Sequence, residues 1–180
     1  MDTIVRVMRP DEFEAMRELS VAAFGDDAQI RLLLNLLHDS WAWEHDLSFV
    51  AEHSGELVGQ VLFSHAFLDT SSGVLDVLVL SPIGVRPDLQ RTGIGGQMIR
   101  TALAALAARN EPLVFLEGHP SYYPRFGFRQ AGPLGFVAPS ARIPAAAFMV
   151  YTLPAHRPGV TGQLVYPDAF WRAGAVGPPG

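Results

Sequence analysis

Hydrophobic positions along the chain change period several times, and each change marks an element. In residues 3–8, Ile4, Val5, Val7 and Met8 surround Arg6 and predict a first strand, closed by Arg9-Pro10. Asp11 stands where a helix cap is needed, Glu12 and Glu14 occupy the acid-favouring first turn, and Phe13, Met16, Leu19 and Phe24 form the apolar face. Gly25 ends that helix. Asp26 or Asp27 opens a second, whose stripe of Ile30, Leu33, Leu34 and Leu37 suits packing on a sheet. Next, Trp41-Ala42-Trp43 followed by Glu44 and His45 is an aromatic connection that either packs in the core or lines a substrate pocket. Residues 48–52 and 57–63 then predict a hairpin around the turn His53-Ser54-Gly55-Glu56.

After a turn at Ser71-Ser72-Gly73 the pattern is almost unbroken: Leu75, Val77, Leu78 and Val79 predict a strand buried on both faces. Ser81, Pro82 and Gly84 interrupt it. Proline donates nothing to a sheet ladder and glycine weakens one, so a bulge or splay is expected there. From Gln97 onward, Met98, Ile99, Ala102, Leu103 and Leu106 recur at helical spacing. Asn110-Glu111-Pro112 stops that helix, residues 113–117 form a short apolar strand, and residues 122–128 allow one or two turns ended by Gly127. Residues 135–138 and 146–153 read as strands between proline-rich turns, with a last short strand at 164–166. Residues 173–180 carry nothing to bury and are expected to fray, leaving one domain over residues 1–172 and a flexible tail over 173–180. The order of elements describes an α/β layered sheet of mixed direction.

Composition narrows the chemistry. The 180 residues are 49% hydrophobic and 17% charged, as expected of one globular domain with a substantial core. A formal net charge of −5 argues against general nucleic-acid binding and is compatible with an amine-bearing substrate. The chain has no cysteine and no lysine, which excludes a thiol nucleophile, a zinc-thiolate site, a Schiff base and an acyl-lysine intermediate. Any group transfer is then direct, or passes through a Ser, Tyr, His or carboxylate. Asp2, Arg6 and Arg9 interrupt any leader-like apolar run, and no window approaches the ~20 apolar residues of a membrane span, so a soluble cytoplasmic protein is expected. The six histidines show no ligand-type spacing, and no metal is expected. A homodimer is compatible with this reading.

The chemistry concentrates between the broken strand and the long helix, in Gln90-Arg91-Thr92-Gly93-Ile94-Gly95-Gly96. A glycine-rich loop that opens a helix is an anion site. The first N–H groups of a helix lack internal acceptors, the macrodipole places about half a positive charge there, and glycine lets a phosphate approach the peptide nitrogens. Arg86, Arg91 and Arg100 stand nearby against Asp88 alone, so a polyphosphate is the natural guest. The ATP/GTP loop needs a lysine and fails. The dinucleotide fingerprint needs a third glycine or alanine where this chain has Met98, and should follow its strand directly. A third pattern, [Gln/Arg]-x-x-Gly-x-[Gly/Ala], is met by Gln90, Gly93 and Gly95 after a strand that ends Ile83-Gly84-Val85. An ordinary strand-to-helix turn would use the same glycines for their backbone angles alone.

This third pattern resembles the acetyl-CoA loop of the GCN5-related N-acetyltransferases (GNAT). One strand later, Tyr123 to Phe128 reads Tyr-x-x-x-Gly-Phe, similar to a second motif of the family, and the longer Gly-x-Pro-x-Tyr-Tyr-x-Arg-Phe-Gly-Phe over residues 118–128 resembles a subgroup described as predicted N-acetyltransferases. The resemblance implies a mixed, mostly antiparallel central sheet flanked by helices and splayed at the acetyl-CoA site. It also implies direct acetyl transfer from acetyl-CoA to a small-molecule or protein amine in a ternary complex, with coenzyme A as product. Backbone groups from Arg91 through Thr92, Gly93, Ile94 and Gly95 to Gly96, with Gln90, would hold the pyrophosphate. Main-chain groups of Ile83, Gly84 and Val85 would grip the pantetheine arm. Tyr123 would be the acid for the departing thiolate, against the alternative of a phenol packed under the sheet. For the base, Glu117 comes first, then His119 and Asp76; proton loss through water needs none of them, and Glu117 also reads as a solvated strand-end carboxylate. Relatives often carry Asn after this strand, where this chain has Glu117-Gly118-His119. The competing functions are a catalytically idle acyl-CoA-binding regulatory module, against which Tyr123 argues, and a Rossmann-type oxidoreductase, against which Met98 and the antiparallel strands argue.

Overall fold

The computed structural model describes residues 3–178. Strand β1 (Ile4–Val7) is followed by helices α1 (Phe13–Ala23) and α2 (Ala28–His38), then strands β2 (Ser48–His53), β3 (Glu56–Thr70) and β4 (Gly73–Val85). Helix α3 (Ile94–Leu106) and strand β5 (Leu113–Glu117) follow, then a single tight turn at Tyr123–Phe126. The short strands β6 (Arg129–Gln130) and β7 (Phe136–Val137) lead to β8 (Phe148–Thr152), β9 (Gly162–Val165) and helix α4 (Asp168–Arg172). The sheet order is β1-β2-β3-β4-β5-β8-β6, with β9 pairing both β3 and β7. Pairing is antiparallel except between β4 and β5 and between β7 and β9.

The expected mostly antiparallel α/β sheet is therefore observed. At the β2–β3 turn, Ser54 and Gly55 both take positive φ (55° and 81°), the two-residue geometry whose twist matches the flanking strands. The predicted irregularity in β4 is a register shift. Val61 faces Ile83 and Phe63 faces Leu80, so two residues of β4, Ser81 and Pro82, stand against Leu62 alone. Alternation along the strands sends side chains to two separate cores. One, under α1, α2 and α4, holds Met16, Leu34, Phe115 and Phe170; the other, under α3, holds Phe63, Met98, Leu116 and Phe128.

Four expectations change. Helix α3 begins at Ile94, three residues before the apolar spacing shows it, because Gly93 at φ 99° turns the chain directly into the first turn. β7 is two residues long rather than spanning 135–138, and α4, too short for a periodic signal, was not anticipated. The segment after residue 172 does not fray within the described residues: Ala173 and Val176 are buried against the first core. Their small side chains fill space that only the folded sheet creates. The last two residues of the expected tail lie outside the described residues.

Candidate active site

β4 and β5 pair only at Leu78 with Val114 and Val79 with Phe115. Beyond these positions β4 stays paired with β3 as far as Val85 while its other edge leaves β5. That parting opens a cavity of about 700 Å³. Its walls are Ile83, Gly84 and Val85 from the free edge, Gln90, Arg91, Gly93, Gly95 and Gly96 from the loop and helix, and Ala23 and Phe24 from the end of α1. Arg100, Tyr122, Arg125 and Phe126 close the remaining side.

The loop geometry suits an anion. Arg91 is a non-glycine residue held at φ 62°, and Gly93 caps α3, so the N–H groups of Ile94, Gly95 and Gly96 open the helix without intrahelical acceptors. A Cβ on Gly95 would lie 3.0 Å from the Tyr122 hydroxyl, and one on Gly96 would lie 3.2 Å from the Phe126 ring. Glycine is thus favoured by close approach at 95 and 96 and by backbone angle at 93. The Arg125 guanidinium sits 4.5 Å over the Tyr122 ring and Arg100 5.3 Å over Phe126, so two cations are stacked on aromatic faces at the rim. Arg86 does not join them, being paired with Asp88 and Glu56. Gln90 has a bracing role: its Nε2 donates to the Val85 carbonyl at 3.1 Å and the Ala23 carbonyl at 3.3 Å, tying the end of β4 to the end of α1.

The predicted residues do not all meet. Ile83, Gly84, Val85, Gln90, Arg91, Gly93, Gly95 and Gly96 line the cavity, whereas Thr92 and Ile94 do not. Thr92 donates to the Leu89 carbonyl at 2.6 Å, and Ile94 is buried in the second core. Tyr123 is also off the cavity wall. It is 9% exposed, packed against Gly118, and burial pushes its phenol up to about 12. The adjacent Tyr122 is the phenol that borders the cavity; burial raises it too, with Arg125 and Arg100 opposing.

Glu117 ends β5 two residues beyond its last pairing with β4, at the root of the parting, and like Tyr123 is not among the residues that line the cavity. It accepts from the Tyr166 hydroxyl at 2.8 Å and from the Gly177 N–H at 3.0 Å. Burial raises its carboxyl above the ordinary range, and these two donors pull it partly back. His119 is exposed and folded onto Ser121. Asp76 is remote, since it stands on the far half of β4 opposite Phe67 and binds His65 Nδ1 at 2.9 Å. The tryptophans are elsewhere as well: Trp41 stacks on Phe67, and Trp43 packs on Phe13 and His38.

Sequence reasoning passed over Tyr122, Arg125, Phe126 and Phe24. The first three lie inside the Tyr-Tyr-x-Arg-Phe motif, where the tight turn decides which of two adjacent tyrosines faces the cavity. Nothing local marks Phe24, which reaches the site only because α1 packs over β3 and β4.

A parallel pair that parts beside a glycine-cradled helix terminus is the architecture of an acyltransferase of the GNAT class. The model of the acetyltransferase (GNAT) domain matches residues 4–131, and the chain belongs to that family. It is similar to the Escherichia coli (strain K12) protein named Uncharacterized N-acetyltransferase YjhQ, with 36% identity over 156 residues and 83% of each chain covered. Among solved structures it resembles the GNAT family N-acetyltransferase YhbS from Escherichia coli, in complex with CoA, at a TM-score of 0.81 and 27% identity over 94% of this chain and 92% of that one. A GNAT family acetyltransferase from Brucella melitensis in complex with acetyl-CoA gives 0.72 and 28%, covering 94% and 98%. Among the described residues no helix is long and apolar enough to cross a membrane.

Proposed function

We propose that this chain transfers an acetyl group from acetyl-CoA directly to a small-molecule or protein amine, in a ternary complex without an acyl-enzyme. The observation that carries the reading is the cavity between the parted strands, with the opening N–H groups of α3 at one end and the free edge of β4 along its side. The residues fit the cofactor: a cradle that a Cβ at Gly95 or Gly96 would fill, the cations Arg91, Arg100 and Arg125 at the rim, and apolar Phe24 and Leu89 beside an open strand edge. The CoA-bound and acetyl-CoA-bound relatives support it. When bound, acetyl-CoA supplies an acetyl group already activated as a thioester.

The protein's own groups supply the rest. The N–H groups of Ile94, Gly95 and Gly96 and the arginines bind the diphosphate, and the main chain of Ile83 and Val85 orients the pantetheine arm as an added strand would be oriented. Tyr122 Oη, beside Gly95, adds a hydrogen-bond donor to the diphosphate cradle, and Tyr123, protonated at neutral pH and packed on Gly118 next to the end of β5, holds the proton for the departing sulfur. A carboxylate of Glu117 takes the proton that the amine loses, on the sheet face that carries α1 and α2.

Calorimetry with acetyl-CoA and thiol release across spermidine, phenethylamine and a lysine peptide test this reading. Gly95→Val, which must displace Tyr122, is expected to weaken acetyl-CoA by at least about tenfold. Tyr123→Phe is expected to slow turnover by about 10- to 100-fold at unchanged affinity, with Tyr122→Phe weakening acetyl-CoA instead. Unchanged affinity in the glycine variant sinks the cradle, and a Tyr123→Phe variant that turns over like wild type removes Tyr123 as the acid.

A further inference from the structure

The carboxylate at the end of β5 is partly buried, yet among the described residues it forms no ion pair. Other inward-facing glutamates do pair: Glu12 with Arg6 and Arg9, Glu44 and Glu111 with Arg109. A carboxylate withdrawn from water without a cation is costly, and such groups concentrate where chemistry uses them. Both donors to Glu117 are neutral, and both come from the last part of the chain.

That part is built as a strap. Tyr166, 6% exposed, stacks on Phe170 with ring centroids 4.7 Å apart, which aims its hydroxyl at Glu117 Oε1. Ala173 and Val176 anchor the following turn in the core, and Gln29 Nε2 donates to the Gly174 carbonyl at 2.9 Å. Gly177, at φ 74°, passes so close to Arg142 that a Cβ would lie 3.0 Å from the arginine's own Cβ, and its N–H meets Glu117 Oε2. Arg142, the cation in contact with this turn, is turned to the Pro178 carbonyl rather than to the carboxylate. On the strand side Glu117 faces Phe148, and Gly118 beside it is covered by the Tyr123 ring.

We infer that residues 166–178 are a positioning element of the active site, whose Tyr166 hydroxyl and Gly177 N–H hold the Glu117 carboxylate at the root of the β4–β5 parting to receive the proton of the incoming amine. The inference rests on the acetyltransferase reading above. Tyr166 is a positioning residue: it acts through Glu117. Its hydrogen bond favours the ionised carboxylate, so its loss makes Glu117 harder to deprotonate.

The test uses two readouts. Carbon-13 glutamate labelling, with Glu117 assigned by its loss in Glu117→Gln, follows the carboxyl titration without any amine. The pH profile of kcat/KM is taken with whichever of the three amine probes the wild type turns over fastest. Tyr166→Phe keeps the ring on Phe170 and is expected to raise the Glu117 titration by about one pH unit, moving the acid limb of the profile by the same amount at unchanged acetyl-CoA affinity. Ending the chain at Gly174 removes the second donor and is expected to move both further. A titration that neither variant shifts, or a slowed rate whose acid limb stays in place, overturns the inference. Wild type that fails to bind acetyl-CoA overturns the acetyltransferase reading instead, whatever the titration shows.

Discussion

Two residues before β5, Glu111 is 8% exposed and receives Arg109 through Nε at 3.0 Å and Nη2 at 2.7 Å. The same guanidinium grips Glu44 at 2.8 and 2.7 Å, and His65 bridges Glu44 and Asp76 through its two ring nitrogens at 2.7 and 2.9 Å. At the other end of the same strand Glu117 has only a phenol and a peptide N–H. The consequences for the carboxyls are opposite. Arg109 holds Glu44 at about 2; burial pushes Glu111 up, but Arg109 outweighs it and the net change is downward. Burial prevails at Glu117. The comparison sets carboxylates held by a cation against one held by neutral donors alone, the group proposed above as the proton acceptor. Although Glu44, His65 and Glu111 have ligand-type atoms within 4.8 Å of one another, Arg109 already occupies both carboxylates.

The comparison breaks most directly at Arg109. Arg109→Met leaves two carboxylates partly buried without their cation and is expected to cost about 2–3 kcal/mol by denaturant unfolding, less than for a fully buried pair because Glu44 is partly solvated. Thiol release at a temperature where the variant stays folded is expected to match wild type. A drop in turnover there would tie this end of β5 to the chemistry.

pH sharpens the contrast next, because the groups around Arg109 respond in opposite senses. Burial opposes charge on His65, but Asp76 and Glu44 outweigh it and raise its folded value above the ordinary 6.5. Its contribution is therefore complete below about 6.5 and is lost as pH rises through the raised value. Glu44 and Glu111 act the other way, losing their contribution as pH falls below about 4.5 toward their lowered values. His65→Gln is expected to flatten the loss on the alkaline side in urea midpoints measured from pH 6 to 9; an unaltered curve would show that the bridge carries no linked proton.

The smallest expected effect is on stability at Glu117. A raised folded value means that ionising this group costs stability as pH rises through it, so Glu117→Gln removes that cost while losing one acceptor at Gly177. The net change in unfolding free energy at pH 7 is expected to stay within about 1 kcal/mol. A loss comparable to that of Arg109→Met would make Glu117 a structural group like Glu111.

Much of this molecule is legible along the chain because its signals are local. Period-two and period-3.6 spacing locate most of the major elements, and Ser54-Gly55 marks its hairpin. The proline and glycines of β4 announce a break, and the glycines after Gln90 announce an anion cradle, because backbone angle and missing Cβ are properties of single residues. The choice between Tyr122 and Tyr123 was not legible. Both belong to one motif, and which ring goes under the sheet depends on a turn only four residues long packing against Gly95, Gly96 and Gly118.

What the sequence determined by itself is thus the family's sheet, its broken strand and the glycine-flanked helix terminus proposed to receive an anion, each encoded in neighbouring residues. Tertiary structure decided which groups meet from distant parts of the chain. Phe24 arrives from a helix, Tyr166 and Gly177 reach Glu117 across 49 and 60 residues of chain, and Arg109 closes on Glu44 across 65. Contacts at such separations form only when the sheet packs, since loop closure is repaid by burial made elsewhere, and no local spacing records them.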